Sequence, residues 1–267
     1  MSSRSRRPAA SSSGVHLLSS GRVITGLVTT AALDAGDLVL DIGAGPGTIT
    51  APLARTGSRV LAVERDARFV AELRRRFADQ PRVRVVHDDL RTMRLPRRAF
   101  AVVASVPFAV TTPLLRRLLT PVSGGFSRAE LVVEWGRAKR LTAAFPRDLE
   151  SAWWSCRFAI TLRRRVPAGC FTPAPRVDAA HLGVRPRSDV DRRVAAILWS
   201  LLSAAYERPR TPARLSLHRV APRRLTHRVL GESPATEIAA TTWLSLAKTL
   251  AADRGIVPPR LPERVSH

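Results

Sequence analysis

The sequence predicts a doubly wound α/β sheet followed by a small helical domain, on three observations. Five short apolar runs, rich in valine and leucine, lie between about residues 37 and 134. Helical patterns of apolar residues stand between these runs, and such alternation is typical of a parallel sheet covered by helices. After Arg164 prolines become frequent, and helical patterns then dominate from about residue 188 onward.

The predicted elements follow one another in the order that such a sheet requires. Strands are predicted at Leu38–Gly43, Arg59–Glu64, Arg82–His87, Phe100–Ser105 and Ala129–Glu134, with one more at Ala179–Val184. Helices are predicted at Thr48–Gly57, Asp66–Phe77 and Thr111–Leu119. Ligands of such sheets bind beyond the carboxyl ends of the strands, so candidate site residues are sought there.

The charge balance is strongly basic and indicates a polyanionic partner. The chain carries a formal net charge of +23 and has an isoelectric point near 11.8. A field of this size attracts nucleic acid above all, although an arginine-favouring genome could produce the same composition without a binding role. Basic residues cluster at 74–76, 137–140, 163–165 and 210–224, and each cluster is either a phosphate-binding surface or a solvated face.

Domain organisation and location follow from composition. Residues 1–13 are basic and serine-rich without the apolar segment of a secretory signal, so we expect a disordered arm. Residues 14–187 are predicted to form the main domain and 188–267 the helical one. No apolar stretch is long enough to span a membrane, so we expect a cytoplasmic protein without a membrane partner. Two cysteines and six histidines without ligand spacing predict no metal site.

The first predicted strand runs into a glycine-rich turn, and acidic residues follow the next two strands. Asp41 precedes Gly43 and Gly45 in DIGAGPG, and alternate glycines let the backbone turn sharply and approach a ligand. Glu64 ends the second strand, where a carboxylate can accept hydrogen bonds from a ribose. Asp89 follows the third and can accept from an adenine amino group. Each feature alone fits an ordinary turn or loop acid, but together they predict a nucleotide site.

This set of motifs resembles the class I S-adenosylmethionine-dependent methyltransferases, whose first motif is an acidic residue followed by G-x-G-x-G. The resemblance implies a Rossmann-like sheet with S-adenosylmethionine as the cofactor. It implies that Gly43 and Gly45 contact the methionine portion, with Asp41 close to the methionine end. Glu64 would bind the ribose, and Asp89 would lie near the adenine.

The fourth predicted strand ends in ASVPF, beside the position expected for the methyl donor. An exocyclic amine on a base is a poor nucleophile because its lone pair is delocalised, and acceptors for its two N–H groups would orient it. Ser105 and a main-chain carbonyl held by Pro107 can supply such acceptors, and Phe108 offers a face for an unstacked base. Without the upstream motifs, the stretch would fit a strand-to-loop turn with a core phenylalanine.

With those motifs, ASVPF resembles the N-x-P-[FY] motif of the adenine N6-methyltransferases of ribosomal RNA. GVHLLSSGRVITGLV, at 14–28, is similar to the family's N-terminal motif, which implies cofactor contacts for His16 and Leu18. FTPAPRVDAAHL, at 171–182, is similar to the family's F-x-P-x-P-x-V-D-A segment. The resemblance covers about residues 14–187, and the later helices match the family's small C-terminal domain in size and place.

Within this family, the arginine-rich composition and TTPLLRRLL look closest to the Erm methyltransferases. Those enzymes modify one adenine of 23S rRNA and so confer resistance to macrolide, lincosamide and streptogramin B antibiotics. The resemblance therefore implies a monomeric enzyme that binds 23S rRNA, with an RNA-binding C-terminal domain. The sister branch that dimethylates small-subunit rRNA stays open. A DNA adenine methyltransferase is a weaker alternative, since no segment looks like a DNA target-recognition domain.

Ser105 departs from the family pattern, which usually has asparagine at this position. A hydroxyl is shorter than an amide and rotates freely, so it can accept from the amine with a less fixed geometry. Val15 and Leu17 also stand where the family usually has glutamine and phenylalanine. These departures leave open a second class of function, an RNA-binding or assembly factor with little chemistry.

Overall fold

The computed structural model describes residues 16–258 and 261, so the arm predicted at 1–13 lies outside the described residues. Its strands are β1 (Leu17–Leu18), β2 (Leu38–Ile42), β3 (Arg59–Glu64), β4 (Val83–His87), β5 (Phe100–Ser105), β6 (Phe126–Glu134), β7 (Phe158–Val166), β8 (Phe171–Thr172) and β9 (Ala179–Pro186). One seven-stranded sheet has the order β4-β3-β2-β5-β6-β9-β7, and β1 pairs with β8 in a separate two-stranded sheet.

Helices connect and follow these strands. They are α1 (Gly21–Ala31), α2 (Thr50–Ala54), α3 (Ala67–Arg76), α4 (Thr111–Leu119), α5 (Trp135–Leu141), α6 (Leu149–Arg157), α7 (Arg192–Tyr206), α8 (Ala213–Ser216), α9 (Arg223–Leu230) and α10 (Ala240–Ala252). None of the helices in the described part of the chain combines the length and the apolar character that a bilayer crossing requires.

The sheet has the topology that positions a ligand site. β2 pairs in parallel with β3 on one side and with β5 on the other, and β3 continues to β4. The chain therefore moves outward in one direction from β2 to β4 and then returns to place β5 on the other side of β2. This reversal is a topological switch point, where the loops after two neighbouring strands diverge and leave a crevice.

The predicted strands of the sheet are confirmed within one to three residues. β7 was not predicted, because three consecutive arginines interrupt its apolar pattern and only its two ends are buried. α2 is shorter than predicted and begins at Thr50, since the glycine-rich turn continues through 48 and 49.

The core of the sheet is built against α1. Val23, Ile24, Leu27 and Ala31 lie on one face of this helix and are at most 9% exposed. They belong to the same buried cluster as residues of β2, β5 and β6, including Val39, Val103 and Val132. Burial of each such side chain contributes about 1.5–3 kcal/mol relative to exposure. This packing fixes the strands whose ends carry the candidate site.

The described residues divide into two compact units that interleave along the chain. The first takes the described residues up to Leu114 with Gly125–Ala138 and Leu162–Gly183. The second takes Leu115–Gly124, Lys139–Thr161 and the described residues from Val184 onward. These units are defined by which residues pack together. The division into a main domain at 14–187 and a helical domain at 188–267 stays a prediction.

Trp153 and Trp154 lie on helix α6. The helix begins after Asp148, whose carboxylate accepts from the Ser151 backbone N–H at 2.8 Å, as N-cap residues do. Both indoles are buried and donate to Thr120, one to its carbonyl and one to its hydroxyl, each at 3.1 Å. Both adjacent tryptophans can therefore pack inside the second unit, because each indole N–H has a hydrogen-bond acceptor there.

Candidate active site

A cavity of about 480 Å³ lies at the carboxyl ends of β2, β3 and β5 in the first unit. Its volume is within the range of small-molecule sites, about 300–1,000 Å³. The structure brings every predicted site residue to the wall of this one cavity: His16, Leu18, Asp41, Gly43, Gly45, Glu64, Asp89, Ser105, Pro107 and Phe108. Their roles toward a ligand remain predictions, but their convergence from five separate segments is now a structural fact.

The glycine-rich turn requires glycine at two positions for the backbone and for close approach. Gly43 has φ of 74° and Gly45 has φ of 53°, in the left-handed region that other residues avoid. A Cβ on Gly43 would lie 3.4 Å from Pro107 Cδ, and one on Gly45 would lie 3.2 Å from Leu17 Cδ2. The turn after β2 therefore packs closely against the loop after β5 and against the β1 strand.

Glu64 holds the glycine turn from the neighbouring strand. One carboxylate oxygen accepts from the Gly45 backbone N–H at 2.9 Å. The other accepts from the N–H groups of Arg65 and Asp66, each at 2.8 Å. A carboxylate offers about four lone-pair directions, so an acceptor position remains for a ligand hydroxyl. Sequence reasoning assigned Glu64 only to the ribose and missed this bond to Gly45, which no local pattern encodes.

Asp41 is the most deeply buried acid of the cavity, with 1% of its surface exposed. One of its oxygens accepts from the Thr50 hydroxyl at 2.6 Å, whereas the other, Oδ1, is buried without a hydrogen-bond partner. Burial raises the pKa of Asp41 to about 7; the Thr50 hydrogen bond opposes this rise and the charge of Glu64 adds to it. A buried carboxylate with an unused oxygen fits a cationic or N–H-bearing ligand group.

Asp89 lies at a more open part of the cavity, with 31% of its side chain exposed. One carboxylate oxygen accepts from the Arg91 backbone N–H at 2.8 Å. The other lies 3.9 Å from the guanidinium groups of both Arg65 and Arg91. Phe69 and Leu90 also line the cavity and supply apolar surface of the kind that a base requires.

The N-terminal strand forms one wall of the cavity through contacts that span most of the first unit. Leu18 pairs with Phe171 in the antiparallel β1–β8 ladder, and both side chains are buried and line the cavity. His16 Nδ1 lies 2.9 Å from the Pro173 carbonyl oxygen. The N-terminal motif at 14–28 and the segment at 171–182 therefore meet, and together they form this wall of the cavity.

The loop after β5 lines the cavity with Ser105, Val106 and Pro107. Ser105 is half-buried, and its hydroxyl has no hydrogen bond to any described residue. The Val106 N–H donates to the Val132 carbonyl at 2.9 Å, which fixes this loop to β6. The Pro107 carbonyl accepts from the Val110 N–H at 2.9 Å and is thereby used in the following turn. Of the two carbonyls beside this peptide bond, that of Val106 is therefore the candidate main-chain acceptor for a substrate amine.

Phe108 begins the turn that leads into α4. Its ring is partly buried against the core cluster of the first unit and also lines the cavity. One side of the residue is thus supported by packing, and it lies at the cavity beside Ser105. A supported aromatic ring is suited to stacking on a base, because little side-chain entropy remains to be lost.

These residues fit S-adenosylmethionine without a metal ion. The unpaired oxygen of Asp41 suits a cationic group, and the glycine turn lets the backbone approach the ligand. The described residues contain no group of three or more histidine, cysteine or acidic side chains that could hold a metal. The groups that line this cavity and can contact a ligand are carboxylates, backbone groups and apolar side chains.

Comparison with known proteins identifies the family of this chain. The model of the family described as ribosomal RNA adenine dimethylase matches residues 8–252. An rRNA adenine N-6-methyltransferase of Bacillus licheniformis is 32% identical over 218 residues, which cover 80% of this chain and 76% of that protein. Ribosomal RNA small subunit methyltransferase A of Synechococcus sp. (strain RCC307) is 34% identical over 262 residues, covering 89% and 94%. The mycinamicin-resistance protein MyrB of Micromonospora griseorubida is 38% identical over 174 residues, covering 64% and 54%.

The fold agrees as well. The crystal structure of the 23S rRNA methyltransferase ErmE superposes with a TM-score of 0.78 at 24% identity, covering 87% of this chain and 98% of that one. This likeness confirms the predicted class I methyltransferase fold with a helical C-terminal part. Because the family match covers most of the sequence and the cavity carries its motifs, the chain belongs to the ribosomal RNA adenine dimethylase family of S-adenosylmethionine-dependent methyltransferases.

Proposed function

We propose that this enzyme methylates N6 of one adenine in 23S rRNA and thereby confers resistance to macrolide-type antibiotics. The observation that carries the proposal is the convergence of Asp41, Glu64 and Ser105 on one cavity from three different strand ends. It acts as a monomer in the cytoplasm, on RNA as a polyanionic substrate that suits its net charge of +23.

The cofactor is held by the glycine turn and three carboxylates. Gly43 and Gly45 let the backbone approach the methionine portion, and the free oxygen of Asp41 accepts from its amino group. Glu64 accepts from the ribose, and Asp89 accepts from the adenine amino group. When bound, S-adenosylmethionine supplies a methyl group on a positively charged sulfur.

The substrate base is oriented by the loop after β5. The Ser105 hydroxyl and the Val106 carbonyl accept from the two N–H groups of the adenine amine, which turns its lone pair toward the methyl group. Phe108 stacks on the base. No covalent enzyme intermediate is formed and no general base is required, since orientation and proximity supply most of the rate.

The proposal of 23S rRNA and resistance draws on the relatives. MyrB is named for mycinamicin resistance, and its identity of 38% is higher than that of the small-subunit relative over the matched region. A second candidate is dimethylation of small-subunit rRNA. It is favoured by the Synechococcus relative, which matches over 94% of its own length.

The two candidates are distinguished by transferring radiolabelled methyl groups to protein-free 23S and 16S rRNA in parallel. Primer extension then maps the modified adenine. We expect label on a single adenine of 23S rRNA and none on 16S rRNA. Label on 16S rRNA alone would replace the proposal with the small-subunit activity.

Resistance is tested separately in cells. Expression of the protein in a macrolide-sensitive bacterium should raise the inhibitory concentration of a macrolide. An Asp41→Ala variant, expressed at the same level, should not. Equal sensitivity of cells with and without the wild-type protein would contradict the resistance proposal even if 23S rRNA is methylated in vitro.

A further inference from the structure

A second concave surface lies in the second unit and is lined by residues other than those of the candidate active site. Between 208 and 230 the chain has seven arginines and no acidic residue. α8 and α9 bring part of this segment together around a cavity of about 600 Å³. Arg214, His218, Arg223, Arg224 and His227 line it. We call these five residues the C-terminal basic surface.

The arginines of this surface differ in whether an acidic residue of the protein pairs with them. Arg214 is bound by Glu232, whose two oxygens accept from the guanidinium at 2.8 and 2.9 Å. Arg223 and Arg224 are exposed, and neither makes an ion pair with a described residue. Two adjacent guanidinium groups on α9 therefore carry uncompensated charge at the edge of a concavity.

The arginine cluster at 163–165, which the sequence also singled out, is not equivalent to this one. In 163–165, Arg163 binds the buried Glu130, Arg164 donates to the Arg22 carbonyl, and Arg165 binds Asp178. These three guanidinium groups have partners within the first unit and hold it together. Position in a basic run thus does not predict availability: unlike Arg163 and Arg165, Arg223 and Arg224 have no acidic partner among the described residues.

We propose that the C-terminal basic surface binds backbone phosphates of the rRNA substrate, with Arg223 and Arg224 as the principal contacts; this rests on the proposed function. Arginine presents a planar set of donors that matches phosphate geometry, and each contact also displaces a condensed counterion. An RNA strand fits a concave cationic surface. A lipid bilayer would instead require an exposed apolar helix face beside the charges, and α9 is too short and too polar for that.

The test compares charge removal at this surface with equal charge removal elsewhere in the same unit. The full-length variants are Arg223→Ala/Arg224→Ala and the control Arg192→Ala/Arg254→Ala, whose arginines are also exposed and do not line the surface. Alanine favours helix, so α9 should be retained. Binding of labelled, protein-free 23S rRNA is measured at several salt concentrations, together with S-adenosylmethionine binding and thermal unfolding.

We expect the 223/224 variant to bind 23S rRNA about tenfold more weakly and the slope of log affinity against log salt to fall by about 1.5. S-adenosylmethionine affinity and the unfolding temperature should match the control. The variant Arg223→Lys/Arg224→Lys keeps both charges and should bind 23S rRNA nearly as tightly as the wild type. That result would show that the weaker binding of the double-alanine variant comes from lost charge and not from a folding defect.

Equal losses in the two double-alanine variants would overturn the proposal while leaving methyl transfer by the wild type, and hence the proposed function, intact. Loss of binding to phosphatidylserine vesicles but not to rRNA would also overturn it, in favour of a membrane contact. If the wild type neither binds nor methylates rRNA, both the proposed function and this inference are wrong.

Discussion

Asp41 shows how one buried carboxyl can couple cofactor binding to pH. Its pKa of about 7 results from burial, against the Thr50 hydrogen bond and with the charge of Glu64. Below pH 7 the folded protein holds Asp41 protonated, and a bound cation must displace that proton. Above pH 7 the carboxylate is already charged and accepts the cation directly.

We therefore predict that S-adenosylmethionine affinity rises with pH up to about 7, by as much as tenfold per unit, and then levels off. Calorimetric titration in two buffers of different ionisation enthalpy should detect proton release on binding below pH 7. In Asp41→Asn this release should vanish and the affinity should fall. Glu72→Gln, outside the cavity, serves as the control, and an unchanged pH profile in Asp41→Asn would contradict the assignment.

In the proposed reaction, the Ser105 hydroxyl is one of the two acceptors for the substrate amine. Its hydroxyl has no partner among the described residues, so it is available to a ligand. We predict that Ser105→Ala lowers the single-turnover methylation rate by about 10–100-fold, because one acceptor for the amine is lost. S-adenosylmethionine affinity should change less than about threefold.

Ser105→Asn is the informative companion variant. An amide restores the residue type usual in the family, and we expect a rate within about threefold of the wild type. A very large increase from a nearly inactive wild type would instead favour the binding-factor alternative. A rate unchanged in Ser105→Ala would remove Ser105 from the transfer step.

At the scale of elements, a buried ionic cluster joins three strands of the sheet. Glu130 on β6 is fully buried and contacts His181 on β9 at 2.7 Å and Arg163 on β7 at 3.0 Å. Burial acts to raise the pKa of Glu130, but the hydrogen bonds from His181 and Arg163 outweigh it and lower the pKa below its ordinary value. Gly183 leaves room for Arg163, whose nearest nitrogen would lie 2.7 Å from a Cβ there.

We predict that Glu130→Gln lowers the free energy of unfolding by about 3 kcal/mol at pH 7, since the buried His181 and the more exposed Arg163 both lose the buried carboxylate that binds them. The group's stabilisation is present above its ordinary pKa of 4.5 and is lost as pH falls toward the lower folded-state pKa. Urea unfolding at pH 7 and in acid should therefore show the variant and wild type converging. Glu150→Gln, in a more exposed pair with Arg116, should cost less than about 1 kcal/mol.

At the scale of the whole molecule, net charge governs RNA binding. A chain of +23 releases many counterions when it binds RNA. We predict that affinity for protein-free 23S rRNA falls at least about hundredfold between 50 and 200 mM salt, as nitrocellulose filter binding would measure. S-adenosylmethionine binding, which depends on buried groups, should change less than about threefold. Salt-independent RNA binding would contradict an electrostatic interface.

The sequence by itself determined the strand ends and what stands on them. DIGAGPG, Glu64, Asp89 and ASVPF are local patterns, each placed by the end of a short apolar run, so their meeting at one edge of a parallel sheet could be predicted. Net charge is likewise a property of composition alone. These features need no knowledge of distant contacts, and the cavity contains all eight residues that were predicted from them.

Only the tertiary structure decided which residues the protein uses for itself and which remain free. Glu64 holds Gly45, and β1 pairs with a strand more than 150 residues away, which no local periodicity reveals. Arg163 and Arg223 stand in similar basic runs, yet one meets a buried glutamate and the other has no acidic partner among the described residues. The reason is physical: composition fixes how much charge a chain carries, whereas packing decides where each charge is neutralised.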